Sequence, residues 1–243
     1  MSKEIIGEFL GTFVLILFGT GFGLSNNLNK TYSRLVGNNW LGITISWGIA
    51  VTLGVYTSLA IGAPAHLNPA LSLGISLSDS GSLPLGMAIV YSVAQILGAL
   101  LGAMVAAVPF WLHFRETTPE EGNTVGCFAT TPSIDNPLFN FIGEVVATFA
   151  FVFPVQFMTR KGVLNIELLP IALGLLVIAV GLAFGSMTGY AINPARDLGP
   201  RLAYTLLPIP NKEKKSSKWN YAWVPILGPI VGALIAIFLA KYF

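Results

Sequence analysis

Six long apolar stretches alternate with polar connections along the chain, near residues 4–24, 40–61, 85–110, 137–159, 168–186 and 222–242. Each offers about 20 residues of helix, enough to cross roughly 30 Å of hydrocarbon. Polar loops lie at 25–39, 111–136, 159–167 and 208–220. Two connections break the pattern. Residues 62–84 and 187–207 are semi-apolar, too short for a full span, and each carries the triplet Asn-Pro-Ala. Asn is a good helix N-cap, and Pro suits the first turn because the N–H it lacks needs no partner there. After each proline roughly 8–10 residues can be helical, about 12–15 Å or half a membrane. Two such half-helices entering from opposite faces meet near the midplane and act together as a seventh crossing. The pattern predicts an all-α membrane protein with six transmembrane helices plus two re-entrant half-helices, forming one domain over 1–243.

The halves look like repeats, approximately 1–110 and 137–243. Glu8-Phe9-Leu10-Gly11-Thr12-Phe13 resembles Glu144-Val145-Val146-Ala147-Thr148-Phe149, and the stretch from Ile96 to Ala103 resembles that from Ile226 to Ala233. The order in each half is a Glu segment, an apolar span, Asn-Pro-Ala and a Gly-rich span. Three spans per half is an odd number, so the second half is expected to be inverted, with a site on the pseudo-two-fold axis near the midplane. Gly98/Gly102 and Gly228/Gly232 are small-xxx-small pairs that let helices approach closely.

Composition agrees with the apolar pattern. The 243 residues are 54% hydrophobic and 10% charged, against about 25% charged in soluble domains. A net charge of +2 without a basic patch gives no nucleic-acid signal. The one cysteine, Cys127, leaves no intrachain disulfide or cysteine-based metal site,. The apolar run that starts after Glu4 is longer than a signal-peptide core and lacks a small-residue cleavage site, so it is expected to be a retained first span.

Ala65-His66-Leu67-Asn68-Pro69-Ala70 and the stretch from Gly189 to Arg201, with Asn193-Pro194-Ala195-Arg196-Asp197, resemble the major intrinsic protein family, as do the repeated Glu segments. The resemblance covers nearly the whole chain. Within the family the chain looks most like the aquaglyceroporins, whose marker is an Asp after the pore Arg, here Asp197. Val224-Pro225-Ile226 leading into Gly228-Pro229 also matches. The resemblance implies a passive channel for small uncharged solutes, glycerol first and water with it. It implies no cofactor or metal, no enzymatic step, a plasma-membrane homotetramer with one pore per subunit, and cytoplasmic termini.

The pore motifs are Asn68, Pro69, Ala70, Asn193, Pro194 and Ala195. The half-helix starts aim positive dipole ends at the midplane, and the Asn amides offer donors to a passing hydroxyl. Arg196, a charge at membrane depth, is costly there and expected to be functional. The resemblance makes it the selectivity-filter arginine and completes the filter with Trp47, Gly181 and Tyr190. A fifth-span histidine typical of water-selective members is absent, because His66 and His113 are the two histidines present. Trp47 and Tyr190 are expected to form an apolar corner for a polyol's carbons, opposite Arg196. The carbonyls of Pro64, Ala65, His66 and Leu67 are expected to form a ladder, and Glu8 and Glu144 to accept from backbone N–H groups of the re-entrant loops.

The chain departs from the facilitator pattern in two places. Tyr replaces the usual Phe at 190, which narrows the filter or makes it more polar. Pro64 lies in a stretch one residue longer than usual and shifts the ladder. These departures motivate undissociated lactic acid or hydrogen peroxide as rival solutes. A proton-coupled secondary transporter is the rival from another class, with Glu8 or Glu144 as its coupling group. Charge bias runs against the implied topology. It puts Lys3, Arg160, Lys161 and Lys241 inside, but Lys30, Arg34, Arg115, Lys212, Lys214, Lys215 and Lys218 outside. The last four lysines read as a solvated loop.

Overall fold

The computed structural model describes residues 2–37, 39–78, 83–118, 121, 124–212 and 217–243. Lys214 and Lys215 lie outside the described residues. Within these, the long apolar runs become α1 (Lys3–Asn27), α3 (Trp40–Ile61), α5 (Leu85–Ala107), α7 (Pro137–Met158), α8 (Leu169–Thr188) and α10 (Trp223–Ala240). All six are apolar and long enough to cross a membrane, with the helical path of α5 running on to Glu116. The two triplets open the shorter α4 (Pro69–Ser78) and α9 (Pro194–Leu206). Short helices α2 (Tyr32–Leu35) and α6 (Trp111–Glu116) lie in connections expected to be loops. The fold is six spans plus two half-helices, with no strand among the described residues.

Local chemistry sets the ends. Asn39 Oδ1 accepts from the Gly42 N–H at 2.9 Å and Asn136 Oδ1 from the Phe139 N–H at 3.2 Å, capping α3 and α7,. Helices α3 and α8 both stop on a glycine in the left-handed region, Gly62 at φ 87° and Gly189 at φ 84°, where a Cβ is disfavoured. Each glycine turns the chain back into a re-entrant loop. Helix α9 has 13 residues, longer than expected, and ends at Leu207, whose ψ of 136° is extended. Pro208 follows and disfavours a helical conformation at the residue before it.

The halves use matching partners. Helix α1 packs on α3 and α5, and α7 on α8 and α10. Half-helix α9 lies on α5, and α4 on α10, so each leans on the last span of the other half. A Cβ at Gly98 would overlap the Phe9 carbonyl on α1, and one at Gly232 would overlap the Val145 carbonyl on α7.

The connection after α5 is more structured than its polar composition suggests. A 3₁₀ turn over Val108–Phe110 carries the chain through Pro109 into α6, and a second spans Thr124–Cys127. The region is stitched to the loop after α1. The Asn29 N–H donates to Thr117 Oγ1 at 3.0 Å, and the Asn29 carbonyl accepts from His113 Nδ1 at 2.9 Å. Lys30 pairs with Glu116, and Arg34 with Glu121 at 3.9 Å. Cys127 is a buried free thiol whose pKa burial pushes up to about 12, so it stays protonated.

Gly98→Val is expected to push α5 off α1 and cost about 1–3 kcal/mol by overpacking, seen as a lower unfolding midpoint in detergent. Gly86→Ala is the control, because no atom lies within 4 Å of the added Cβ.

Candidate functional site

The two re-entrant loops meet through their asparagines. Asn68 Nδ2 donates to the Ile192 carbonyl at 2.9 Å, and Asn193 Nδ2 donates to the Leu67 carbonyl at 2.7 Å. Each asparagine thus bonds the residue just before the other. Each also caps its own helix. Asn68 Oδ1 accepts from the Ala70 N–H at 2.9 Å, and Asn193 Oδ1 accepts from the N–H groups of Ala195 at 2.9 Å and Arg196 at 3.3 Å. Pro69, Ala70, Pro194 and Ala195 form the buried first turns behind them. A carboxamide nitrogen has two N–H donors. One is taken by the opposite loop, and both asparagines line a common cavity.

The loops behind the asparagines carry strain at matching places. Ala65 and Leu67 have φ of 57° and 51°, and Tyr190 and Ile192 have 37° and 46°. Such positions cost of order 1–3 kcal/mol each for side chains with a Cβ, and persist where surroundings over-determine them. Two buried carboxylates do this. Glu8 accepts from the N–H groups of His66 and Leu67, both at 2.8 Å. Glu144 accepts from those of Ala191 at 2.9 Å and Ile192 at 3.0 Å. Each carboxylate has one side-chain donor as well. Gln95 Nε2 reaches Glu8 at 2.7 Å, and the Thr188 hydroxyl reaches Glu144 at 2.6 Å. Ser72 joins the first set, receiving from Gln95 at 3.1 Å and lying 3.0 Å from His66 Nδ1.

The ladder differs from expectation at its start. Ala65, His66 and Leu67 line the cavity, but Pro64 is exposed and lies outside that lining. The Leu67 carbonyl is engaged by Asn193. Pro64 has no N–H to offer a carboxylate, and the Glu8 clamp begins two residues later, at His66.

Trp47, Tyr190 and Arg196 line two cavities at once. One reaches Asn68 and Asn193, and the other reaches Asn26, Asn27 and Thr130. The three residues form the neck between them. The Arg196 guanidinium lies over the Trp47 ring, 3.7 Å from its centroid, and its Nη1 donates to the Phe128 carbonyl at 3.4 Å. Arg196 and Trp47 are therefore in stacking contact and not opposed across an open space, as the sequence suggested. Trp47 is seated against Gly19, where a Cβ would overlap the ring.

Gly181 contributes by absence. A Cβ there would stand 2.8 Å from Tyr190 Cζ and 2.7 Å from Thr44 Cγ2, and one at Gly185 would stand 2.5 Å from Tyr190 Cδ1. The tyrosine ring lies along these two glycines, and the Gly181 carbonyl accepts from Trp40 Nε1 at 3.0 Å. The Tyr190 hydroxyl is buried and makes no hydrogen bond among the described residues.

The sequence reading gave Asp197 only as a family marker and missed the supporting contacts it makes. Asp197 is fully buried and does not reach either cavity lining. Its Oδ2 accepts from the Thr130 N–H at 2.8 Å and hydroxyl at 2.7 Å. Arg201, also fully buried, bonds Asp197 through Nε at 2.8 Å, and donates to the carbonyls of Thr130 at 2.9 Å and Ser217 at 2.8 Å. This pair fastens the loop that presents the Phe128 carbonyl to Arg196. The four-residue spacing of Asp197 and Arg201 on a helix was the available signal. Nothing in the sequence pointed to Phe128, Thr130 or Gln95, which come from distant segments.

The fold and this paired-loop site define a polytopic membrane protein whose two re-entrant loops meet beside a common cavity. The family model described as "Major intrinsic protein" matches residues 1–240. "Glycerol uptake facilitator protein 2" of Lactiplantibacillus plantarum is 47% identical over 232 residues, covering 95% of each chain. "Glycerol uptake facilitator protein" of Streptococcus pneumoniae R6 is 40% identical over 245 residues, covering 100% of each. Among solved structures, the aquaglyceroporin from Plasmodium falciparum superposes with a TM-score of 0.82 at 31% identity, covering 98% of this chain and 95% of that one. The chain belongs to the major intrinsic protein family.

Tyr190→Phe removes a buried hydroxyl without a partner. It is expected to leave thermal stability unchanged or raise it by up to about 1 kcal/mol. Arg201→Met strands the Asp197 carboxylate in the interior and is expected to cost about 3–5 kcal/mol, measured by thermal unfolding of the purified protein.

Proposed function

We propose that the protein is a passive membrane channel for small uncharged solutes, with glycerol the principal one and water also passing. The observation that carries this is the reciprocal asparagine pair. Each carboxamide retains a donor beside a cavity whose lining divides into many apolar side chains, Val51, Val55, Leu173 and Val177 among them, and a few polar groups from Asn68, Asn193, His66 and Arg196. A polyol matches that division, with carbons on the aliphatic side chains and hydroxyls on the amides and loop carbonyls. The names of the relatives point to the same solute.

Trp47, Tyr190 and Arg196, with Gly181 behind the tyrosine, act as the selectivity filter. Arg196 donates to solute hydroxyls and repels cations. The positive ends of α4 and α9 converge on Asn68 and Asn193 and oppose a hydronium, as is general for channels of this type. Glu8 and Glu144 serve the loops. Their oxygens are engaged by backbone N–H groups, which argues for passive conduction rather than proton coupling.

The chain works as a homotetramer in the plasma membrane, as inverted halves with cytoplasmic termini. The outer face carries more cations than this topology favours, but several of them have structural work there. Lys30 and Arg34 pair with Glu116 and Glu121, and Lys212 binds carbonyls. A local role of this kind offsets the topological bias.

Stopped-flow light scattering of proteoliposomes tests the reading. Glycerol and water permeability are expected to exceed those of protein-free liposomes, with lactic acid and hydrogen peroxide slower than glycerol. Water flux without glycerol flux would reject the assignment, and uphill accumulation driven by a pH gradient would replace the channel with a transporter. Arg196→Ala is expected to raise proton and cation leak at least tenfold, about 1.4 kcal/mol of barrier, measured with a trapped pH dye.

A further inference from the structure

The C-terminal end of each half-helix meets a lysine from a later segment. At the C-terminus of α9, Lys212 Nζ donates to the carbonyls of Tyr204 at 2.9 Å, Thr205 at 3.1 Å and Leu207 at 2.9 Å. An ammonium has three donors, and here all three meet carbonyls at the end of one helix. At the C-terminus of α4, Lys241 Nζ, from just beyond α10, donates to the Ser78 carbonyl. The last carbonyls of a helix lack partners within it and carry its negative pole.

The Lys212 arrangement is built into the fold. Its side chain folds back over residues five to eight positions earlier, with the ammonium 5.4 Å from the Tyr204 ring centroid. Desolvation lowers its pKa from the ordinary lysine value. It takes part in none of the ion pairs among the described residues. A cation held against three carbonyls at the end of a helix has that helix's negative pole as a counter-charge,. The next turns of the same helix carry Arg201 and Arg196, and Asn193 caps its first turn.

We infer that Lys212 is a positioning residue for conduction. It caps the outer end of α9, and through this short rigid helix holds Asn193 and Arg196 at the midplane and the neck. Lys241 does the same for α4 and Asn68, with one bond in place of three and a correspondingly weaker effect. By neutralising the outer negative poles, the two lysines leave the inner positive poles as the uncompensated ends of both helices. This rests on the reading of the chain as a solute channel.

The test compares the parent with Lys212→Met, Lys212→Gln, Lys212→Arg and Lys241→Met in liposomes. Glycerol, erythritol and water permeability are read together with proton leak. The erythritol-to-glycerol ratio is the main readout because it does not depend on how much protein inserted. Lys212→Met and Lys212→Gln are expected to raise that ratio and the proton leak per unit water flux by roughly two- to fivefold, the scale of a cation at a helix C-terminus. Lys212→Arg is expected to restore the parent values, and Lys241→Met to shift them less. Unchanged ratios in Lys212→Met and Lys212→Gln would overturn the inference. If Lys212→Met yields no inserted protein, the Lys212→Gln ratio decides alone. A parent that passes neither glycerol nor water would refute the channel reading itself, whereas a conducting parent with variants that behave alike refutes only the role of the lysine.

Discussion

Two buried carboxylates hold the backbone of the re-entrant loops where hydrocarbon surroundings would otherwise forbid it. Irregular chain at membrane depth has N–H groups with no water to meet, and each unsatisfied group costs several kcal/mol. Glu8 takes two of these groups in the first loop and Glu144 takes two in the second. The same bonds steady the left-handed residues Ala65, Leu67, Tyr190 and Ile192. The asparagine pair depends on those turns, because the Leu67 and Ile192 carbonyls are what the two carboxamides meet.

The neck is built from the same material. Arg196 follows Asn193 by one turn, so any force that orients the cap also orients the guanidinium. Trp47 meets it from α3, and Phe128 meets it from the connection before α7. That connection is fixed in turn by the Asp197–Arg201 pair through Thr130. Asp197, which the resemblance marks as typical of glycerol channels, therefore acts at a distance. It sits beside Arg196 in sequence but faces away from both cavities.

Three uses of charge support the re-entrant loops and their half-helices. Carboxylates inside the protein satisfy backbone donors, a buried ion pair clamps a loop, and lysines at the outer ends of the half-helices meet carbonyls. A tool as coarse as counting cations per face cannot see this division. The lysine-rich loop reads as solvent-facing, yet Lys212 is directed back onto α9. Buried or partly buried cations of this kind carry structural cost and gain that a loop charge does not.

Six spans, two half-helices, the paired triplets and the repeated Glu segments were legible in the chain. Length, apolar content and the Asn-Pro start are local signals, and a membrane makes them unusually decisive by limiting the backbone to helices wherever lipid is the solvent. Glu8 and Glu144 were readable for the same reason, since a carboxylate in an apolar run needs a partner and the loops supply N–H groups. The C-terminal end of α9 fell later than expected although Pro208 marks it, and the helical turns inside 111–136 were not readable, because contacts from Asn29 decide them,. Nor could the chain reveal that Arg196 rests on Trp47, that Tyr190 lies along Gly181 and Gly185 with its hydroxyl unpartnered, or that Pro64 stays outside the lining. Those facts depend on which surfaces of α3, α8 and α9 come within a few ångströms of one another. Packing across the turn after α8 and between segments more than a hundred positions apart sets that, and no local pattern encodes it.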